Sequence, residues 1–326
     1  MALLLSEIEW SAPILPRVDD PAWVATIKRR GAPLGECEQR VASSPWIREL
    51  CLWVLTYRAR DLSERLATMG AMVSAQENAC RYCYGALRAA MKMLGYSEAT
   101  IGRIERDLRI AELDAKAQGY VAFCRKLARA RPRPARAERE ALIALGYAPL
   151  TVNEIAFQAA LGTFHSRVTA LIACPPEQFF EKLANGPVGF LVGLMEPLLR
   201  ARSRRRQLAH LPAPPPAEAL QDGAFAPVVQ ALDGLPAAAV MKSALDAAIA
   251  SEVLSRSVKA LMFAVVARAL DCPHTEAGAR DILRSEGLSD AEIETALATL
   301  RCDRLPPAES DLLSWARDTV HYEPGP

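Results

Sequence analysis

Apolar residues in this chain recur at the spacing of one helix face. Ile47, Leu50, Cys51, Val54 and Leu55 set the pattern just after Pro45. The same periodicity predicts further helices over about 61–76, 79–94, 97–108, 111–130, 136–145 and 151–173. Gly95 stands where a C′ glycine ends the helix through Leu94, and Ser97 offers the N-cap of the next one. No stretch alternates at period two for long enough to make a strand, so the fold class read here is all-α. Pro13, Pro16, Pro21 and Pro33 interrupt residues 1–45, which are expected to form an extended arm. A linker is expected at 200–225, where Arg200, Arg202, Arg204, Arg205 and Arg206 precede the run LPAPPPA at 211–217. That arginine cluster is read as a solvated helix end rather than a docking site for an acidic partner.

Sliding the chain on itself by 192 positions reveals a repeat without gaps across 80–129 and 272–321. Cys80 falls on Cys272, Arg88 on Arg280, Gly95 on Gly287, Ser97 on Ser289 and Ile101 on Ile293. Leu108, Arg109 and Leu113 meet Leu300, Arg301 and Leu305, while Phe123 meets Trp315. A shared C′ glycine followed by a shared cap points to duplication. The expected organisation is therefore an arm at 1–45, a first unit at 46–199, the linker, and a second, shortened unit at 226–326. The first unit runs on well past Arg129 while the second stops near its equivalent point. The expectation is that the second lacks its closing helices or that the chain is a truncated form.

Composition changes this picture little. Alanine, leucine and arginine abound and only 6% of residues are aromatic, which favours helix further. A formal charge of +1 gives no bulk electrostatic reason to bind nucleic acid or an anionic membrane surface. The start MALLLSEIEW lacks a basic region and a long apolar one, and the run Val188–Leu199 is too short and interrupted to span a bilayer. A cytoplasmic protein is expected. The eight cysteines are scattered through a long chain, a pattern of reduced thiols rather than a secreted disulfide framework, with most of them serving as packing residues.

Chemistry concentrates in Ser74-Ala-Gln-Glu77-Asn-Ala-Cys80-Arg-Tyr-Cys83-Tyr-Gly. With Asn78 as N-cap, Cys80 would lie in a first helical turn, where unpaired N–H groups and the helix dipole stabilise a thiolate. Cys83 lies one turn further on, within reach of a disulfide after small adjustment. Glu77 is the nearest carboxylate able to take a thiol proton. Inert packing of both cysteines is the competing reading. Zinc at this pair would need two more ligands, and no second CxxC or CxxH occurs, so neither a metal nor a cofactor is expected.

The run VSAQENACRYCYGALRAAMKMLGYSEATI resembles the CxxC helix of the alkylhydroperoxidase D-like branch of the carboxymuconolactone decarboxylase family. The stretch from Tyr120 to Ala173 looks like that family's closing helices. The resemblance covers about 45–175 and, more faintly, 236–321. It implies tandem helical domains, assembly into homo-oligomers, and reduction of a peroxide or small disulfide by the CxxC pair with a dithiol as reductant. Where the family carries a histidine this chain has Leu87, and where it carries a glutamate this chain has Thr68. Glu77 is the expected substitute, and His165, on the last helix of the first unit, is expected to face the thiols. In the second unit Cys272 is retained but Thr275 replaces the other cysteine and Ala279 the histidine. Cys272-Pro-His274 is therefore read as a degenerate remnant. Two rival functions are a redox sensor or scaffold that does not turn over, and the decarboxylase chemistry of the family's other branch.

Overall fold

The computed structural model describes residues 11–59, 61–106, 113–129, 136–176, 201–202 and 204–320. Among these there is no strand, and every regular element is helical. The chain divides into two units, Met1–Leu211 and Pro212–Pro326. The first holds α1 (Pro21–Arg29), α2 (Glu36–Arg40), α3 (Pro45–Thr56), α4 (Glu64–Glu77), α5 (Arg81–Met93), α6 (Glu98–Arg106), α7 (Ala115–Arg129), α8 (Arg136–Ala144) and α9 (Pro149–Leu171). The second holds α10 (Ala226–Gln230), α11 (Pro236–Ala250), α12 (Arg256–Ala269), α13 (Pro273–Ser285), α14 (Asp290–Thr299) and α15 (Pro307–Val320). No described helix is long and apolar enough to cross a membrane, and the run Val188–Leu199 lies outside the described residues.

In the first unit α4 is the central rod, packed by α5, α7 and α9. Met69, Met72 and Val73 of α4 meet Tyr120, Val121 and Cys124 of α7 and Ile155 of α9 in one buried cluster. Gly70 lets α7 approach, since a Cβ there would overlap the Tyr120 hydroxyl. Helix ends follow local chemistry. Ser63 caps α4 through the Leu66 N–H. Gly95, at φ 81°, closes α5 with the Tyr96 N–H bonded to the Met91 carbonyl, and Ser97 accepts the Thr100 N–H at the start of α6.

One expectation fails here. Residues 1–45 do not form an extended arm throughout, because Pro21 sits at the first turn of α1 behind the Asp20 cap. Proline lacks the N–H that is unpaired there anyway, so it starts this helix rather than breaking it. α1 and α2 bury Trp23, Ile27 and Cys37. The arginine-rich stretch is helical over 204–209, with Arg205 and Arg206 exposed as its reading as a helix end has it, while Gln207 is buried and irregular chain follows at 212–216.

In the second unit α12 packs against α13, α14 and α15 around Leu261, Ala264, Val265, Leu283 and Leu313. Its helices α12, α13, α14 and α15 begin 192 residues after α4, α5, α6 and α7. The agreement extends to single bonds. Ser255 caps α12 as Ser63 caps α4, and Asp271, at φ 50°, occupies the place of Ala79, at φ 45°.

Candidate functional site

α4 ends in an unusual way that sets up the thiols. Asn78 is its C-cap, not the N-cap of the next helix, and Ala79 adopts the left-handed conformation. A non-glycine residue there costs about 1–2 kcal/mol. It turns the chain so that the Cys80 N–H reaches the Ala75 carbonyl at 2.9 Å and Cys80 itself becomes the N-cap of α5. Its sulfur accepts the Cys83 N–H at 3.2 Å. A cap normally supplied by a Ser or Asp oxygen is thus supplied by sulfur, which gains most when it is ionised.

α9 completes the surroundings. His165 and Thr169, four residues apart, share the helix face turned to the start of α5. The Thr169 hydroxyl lies 3.1 Å from Cys80 Sγ and 3.6 Å from Cys83 Sγ. It also donates to the His165 and Ser166 carbonyls, so its one proton can swing from backbone to sulfur when a thiolate forms. His165 Nδ1 is 3.3 Å from Cys83 Sγ. Both cysteines are reduced and nearly buried, at 3% and 5% exposure.

The two thiols are electrostatically unequal. Burial opposes ionisation of Cys80, but hydrogen bonds from the Cys83 thiol, Thr169 and the Cys83 N–H, with His165 nearby, bring it down to about 6. Burial and the adjacent Cys80 charge push Cys83 well above the usual thiol value. The pair therefore loses its first proton readily and holds the second tightly, with the charge resting on Cys80. By contrast, burial pushes the packing thiol Cys124 up to about 12.

His165 is 6% exposed and its Nε2 lies 3.8 Å from Oε1 of Glu38, which is 1% exposed. Burial lowers the imidazole pKa, yet Cys37 and the Glu38 carboxylate outweigh it and raise it to about 10. Glu77 is engaged elsewhere: its carboxylate pairs with Arg125 at 2.8 Å and with Arg129 of α7, tying α7 to the end of α4. A cavity of about 500 Å³, mostly apolar, reaches Cys83, His165 and Glu38, with Tyr82, Tyr120 and Arg58 in its wall. Leu87 and Thr68 line the same space. Cys80 does not line it.

The structure thus brings together Cys80, Cys83 and His165 of the four expected residues. Sequence reasoning missed Thr169, whose hydroxyl has no motif, and Glu38, which arrives from α2. It also missed a gathering of cysteines. Cys37, Cys51 and Cys174 join Cys80 and Cys83 in one buried cluster. The Cys174 hydrogen bond lowers the Cys37 pKa, but Cys51 and burial prevail and push it up to about 12. In the second unit Cys272 stands at the N-cap position of its helix, but its sulfur accepts no cap N–H and instead meets the Thr275 hydroxyl one turn on at 3.2 Å.

No family model matches the chain, and no curated protein does. Solved structures are similar to it, among them two peroxidase-related proteins. One is described as an alkylhydroperoxidase AhpD core, an uncharacterized peroxidase-related protein from Ralstonia eutropha JMP134, with 17% identity and a TM-score of 0.46 over 54% of this chain and 100% of that one. The other is an uncharacterized peroxidase-related protein from Silicibacter sp. TM1040, with 21% identity and a TM-score of 0.43 over 53% of this chain and 97% of that one.

Proposed function

We propose that this chain is a thiol oxidoreductase that reduces a peroxide or a small disulfide at Cys83 and Cys80. One observation carries the reading: Thr169 stands within 3.6 Å of both sulfurs, and a histidine–carboxylate pair stands against the sulfur that faces the cavity. His165 and Glu38 take the part expected of Glu77, entering from α9 and α2 the cavity that Leu87 and Thr68 line.

In the peroxide reaction the charge moves from Cys80 to Cys83 as the proton between them shifts, and the His165 imidazolium stabilises it. Cys83 attacks one peroxide oxygen, the O–O bond breaks, and the departing oxygen takes the Nδ1 proton of His165. Cys83 is then a sulfenic acid. Cys80 attacks that sulfur, the S–S bond forms, and hydroxide leaves with the Cys80 proton as water. An external dithiol reduces the disulfide and restores both thiols. The second unit, whose Cys272 lacks a second sulfur, is a duplicate without this chemistry.

The test is turnover with cumene hydroperoxide or hydrogen peroxide and a dithiol donor. Cys80→Ser and Cys83→Ser each abolish it, and mass mapping of the wild type finds the Cys80–Cys83 disulfide. Unchanged turnover in both variants rejects the mechanism. The near-burial of both thiols favours one alternative, a sensor that is oxidised once, and repeated turnover with the donor distinguishes the enzyme from it.

A further inference from the structure

We infer that the cysteines behind the CxxC pair form a metal site for a divalent ion of the zinc class, built from Cys37, Cys51 and His165 with Glu38 as fourth donor. One ligand atom from each of the first three lies within 4.8 Å of the others, and all three side chains are buried. A tetrahedral zinc with bonds of about 2.0–2.3 Å spaces its donors roughly 3.3–3.8 Å apart, so these three need only close slightly, while the Glu38 carboxylate, outside that set of three, must swing in from beside His165.

An independent observation points to a ligand. His165 Nε2 and Glu38 Oε1 are both buried, both without a hydrogen-bond partner, and 3.8 Å from each other. The other ring nitrogen is already used, since Nδ1 meets Cys83. The other Glu38 oxygen is used too, accepting the Gly35 N–H at 3.1 Å. Each residue therefore presents one unspent lone pair, or the proton that covers it, beside two thiols. Two thiolates, an imidazole and a carboxylate form a closed soft–borderline donor set, which suits zinc and discriminates against magnesium or calcium. Binding releases the two thiol protons and the Nε2 proton to solvent. The ligands come from α2, α3 and α9, so the metal would pin the N-terminal helices to the helix that holds His165.

The site goes beyond the thiol oxidoreductase reading and shares only His165 and Glu38 with it. A metal on Nε2 leaves Nδ1 with its proton on a neutral ring facing Cys83, so loaded and free chains present different acids to the cavity.

The full chain, reduced and stripped with chelator, is titrated with cobalt and then zinc. The expected result is one cobalt per chain with thiolate-to-cobalt charge-transfer absorption, displaced by one zinc, and fully retained in the Cys80→Ser/Cys83→Ser double variant. Cys37→Ser and Cys51→Ser each weaken binding at least ten-fold, while Cys124→Ser, another buried thiol, does not. X-ray absorption of the zinc-loaded wild type, which needs no variant to fold, shows two sulfur donors. Absence of a charge-transfer band, an all-nitrogen-and-oxygen shell, or loss of binding in the CxxC double variant overturns the site. The binding assay contains no peroxide: binding without turnover in the stripped chain rejects the oxidoreductase reading alone, and turnover without binding rejects the metal site alone.

Discussion

Thr169→Val is the substitution that most directly tests how the Cys80 thiolate is held. Valine has nearly the shape of threonine but no hydroxyl, and the hydroxyl stands 3.1 Å from Cys80 Sγ. A hydrogen bond to a charged group contributes about 1.5–3 kcal/mol. At about 1.4 kcal/mol per pKa unit, its loss raises the Cys80 pKa by roughly 1–2 units. The remaining donors, the Cys83 N–H and thiol, stay in place. The sign follows from the charge: the lost donor favoured the thiolate, so the thiol gains. From a starting value of about 6, the ionised fraction at pH 7 falls from about nine-tenths to between about a half and a tenth. The assay is the rate of iodoacetamide alkylation at Cys80 against pH, read by peptide mass so that other thiols do not interfere. The rate midpoint moves up by at least one unit in Thr169→Val and stays near its original place in Thr169→Ser. A midpoint that does not move in the valine variant refutes the reasoning, and the depressed pKa must then come from the Cys83 thiol and N–H with His165.

The proton relay separates two residues that sequence alone leaves together: His165→Gln lowers peroxide turnover by about 10²–10⁴, whereas Glu77→Gln, which breaks only the pairs with Arg125 and Arg129, changes it less than about three-fold. Parallel activity losses in the two variants would contradict this. Close packing is tested by Gly70→Ala, which presses on Tyr120, and by Gly278→Ala, which meets the Ala224 carbonyl. Each should destabilise its unit by about 1–3 kcal/mol in urea unfolding, with Gly278→Ala the worse because backbone yields less than a side chain. In a Cys80→Ser/Cys83→Ser chain, Thr275→Cys should allow Cys272 to form a disulfide with the introduced thiol under diamide. Its peroxide oxidation should nonetheless stay at least about 100-fold slower than in the wild type. Comparable peroxide rates would show that a thiol pair at a helix start is sufficient.

Much of the scaffold is legible because its signals are local. Gly95 and Ser97 mark a helix end and a helix start within three residues, and the structure places both as the pattern expects. The helices from 64 to 171 follow from a periodicity visible in any window of a dozen residues. Local signals also mislead. Pro21 reads as a breaker because proline alone does not show whether it stands first or fifth in a helix, and only the Asp20 side chain bonding to the Trp23 N–H decides it. Asn78 reads as the cap of α5 because nothing marks Ala79 as left-handed; glycine would announce that turn, and alanine does not.

What sequence does not supply is every partner brought from afar. Glu38 and Cys37 come from α2, more than forty residues before the CxxC pair, and Thr169 from nearly ninety residues beyond it. The comparison of the two units shows why those partners matter more than the motif. Cys80 and Cys272 stand in the same turn, each after a left-handed residue and each at the N-cap position of its helix, though only the Cys80 sulfur accepts a cap hydrogen bond. If the turn alone made the chemistry, both would have it. At Cys272 the neighbouring group is the Thr275 hydroxyl, which cannot form a disulfide. At Cys80 the neighbouring group is a second sulfur, in contact with Thr169 and His165 from α9. The same backbone device therefore carries two different local chemistries, and the difference lies in side chains that the tertiary fold, not the local sequence, delivers to the sulfur.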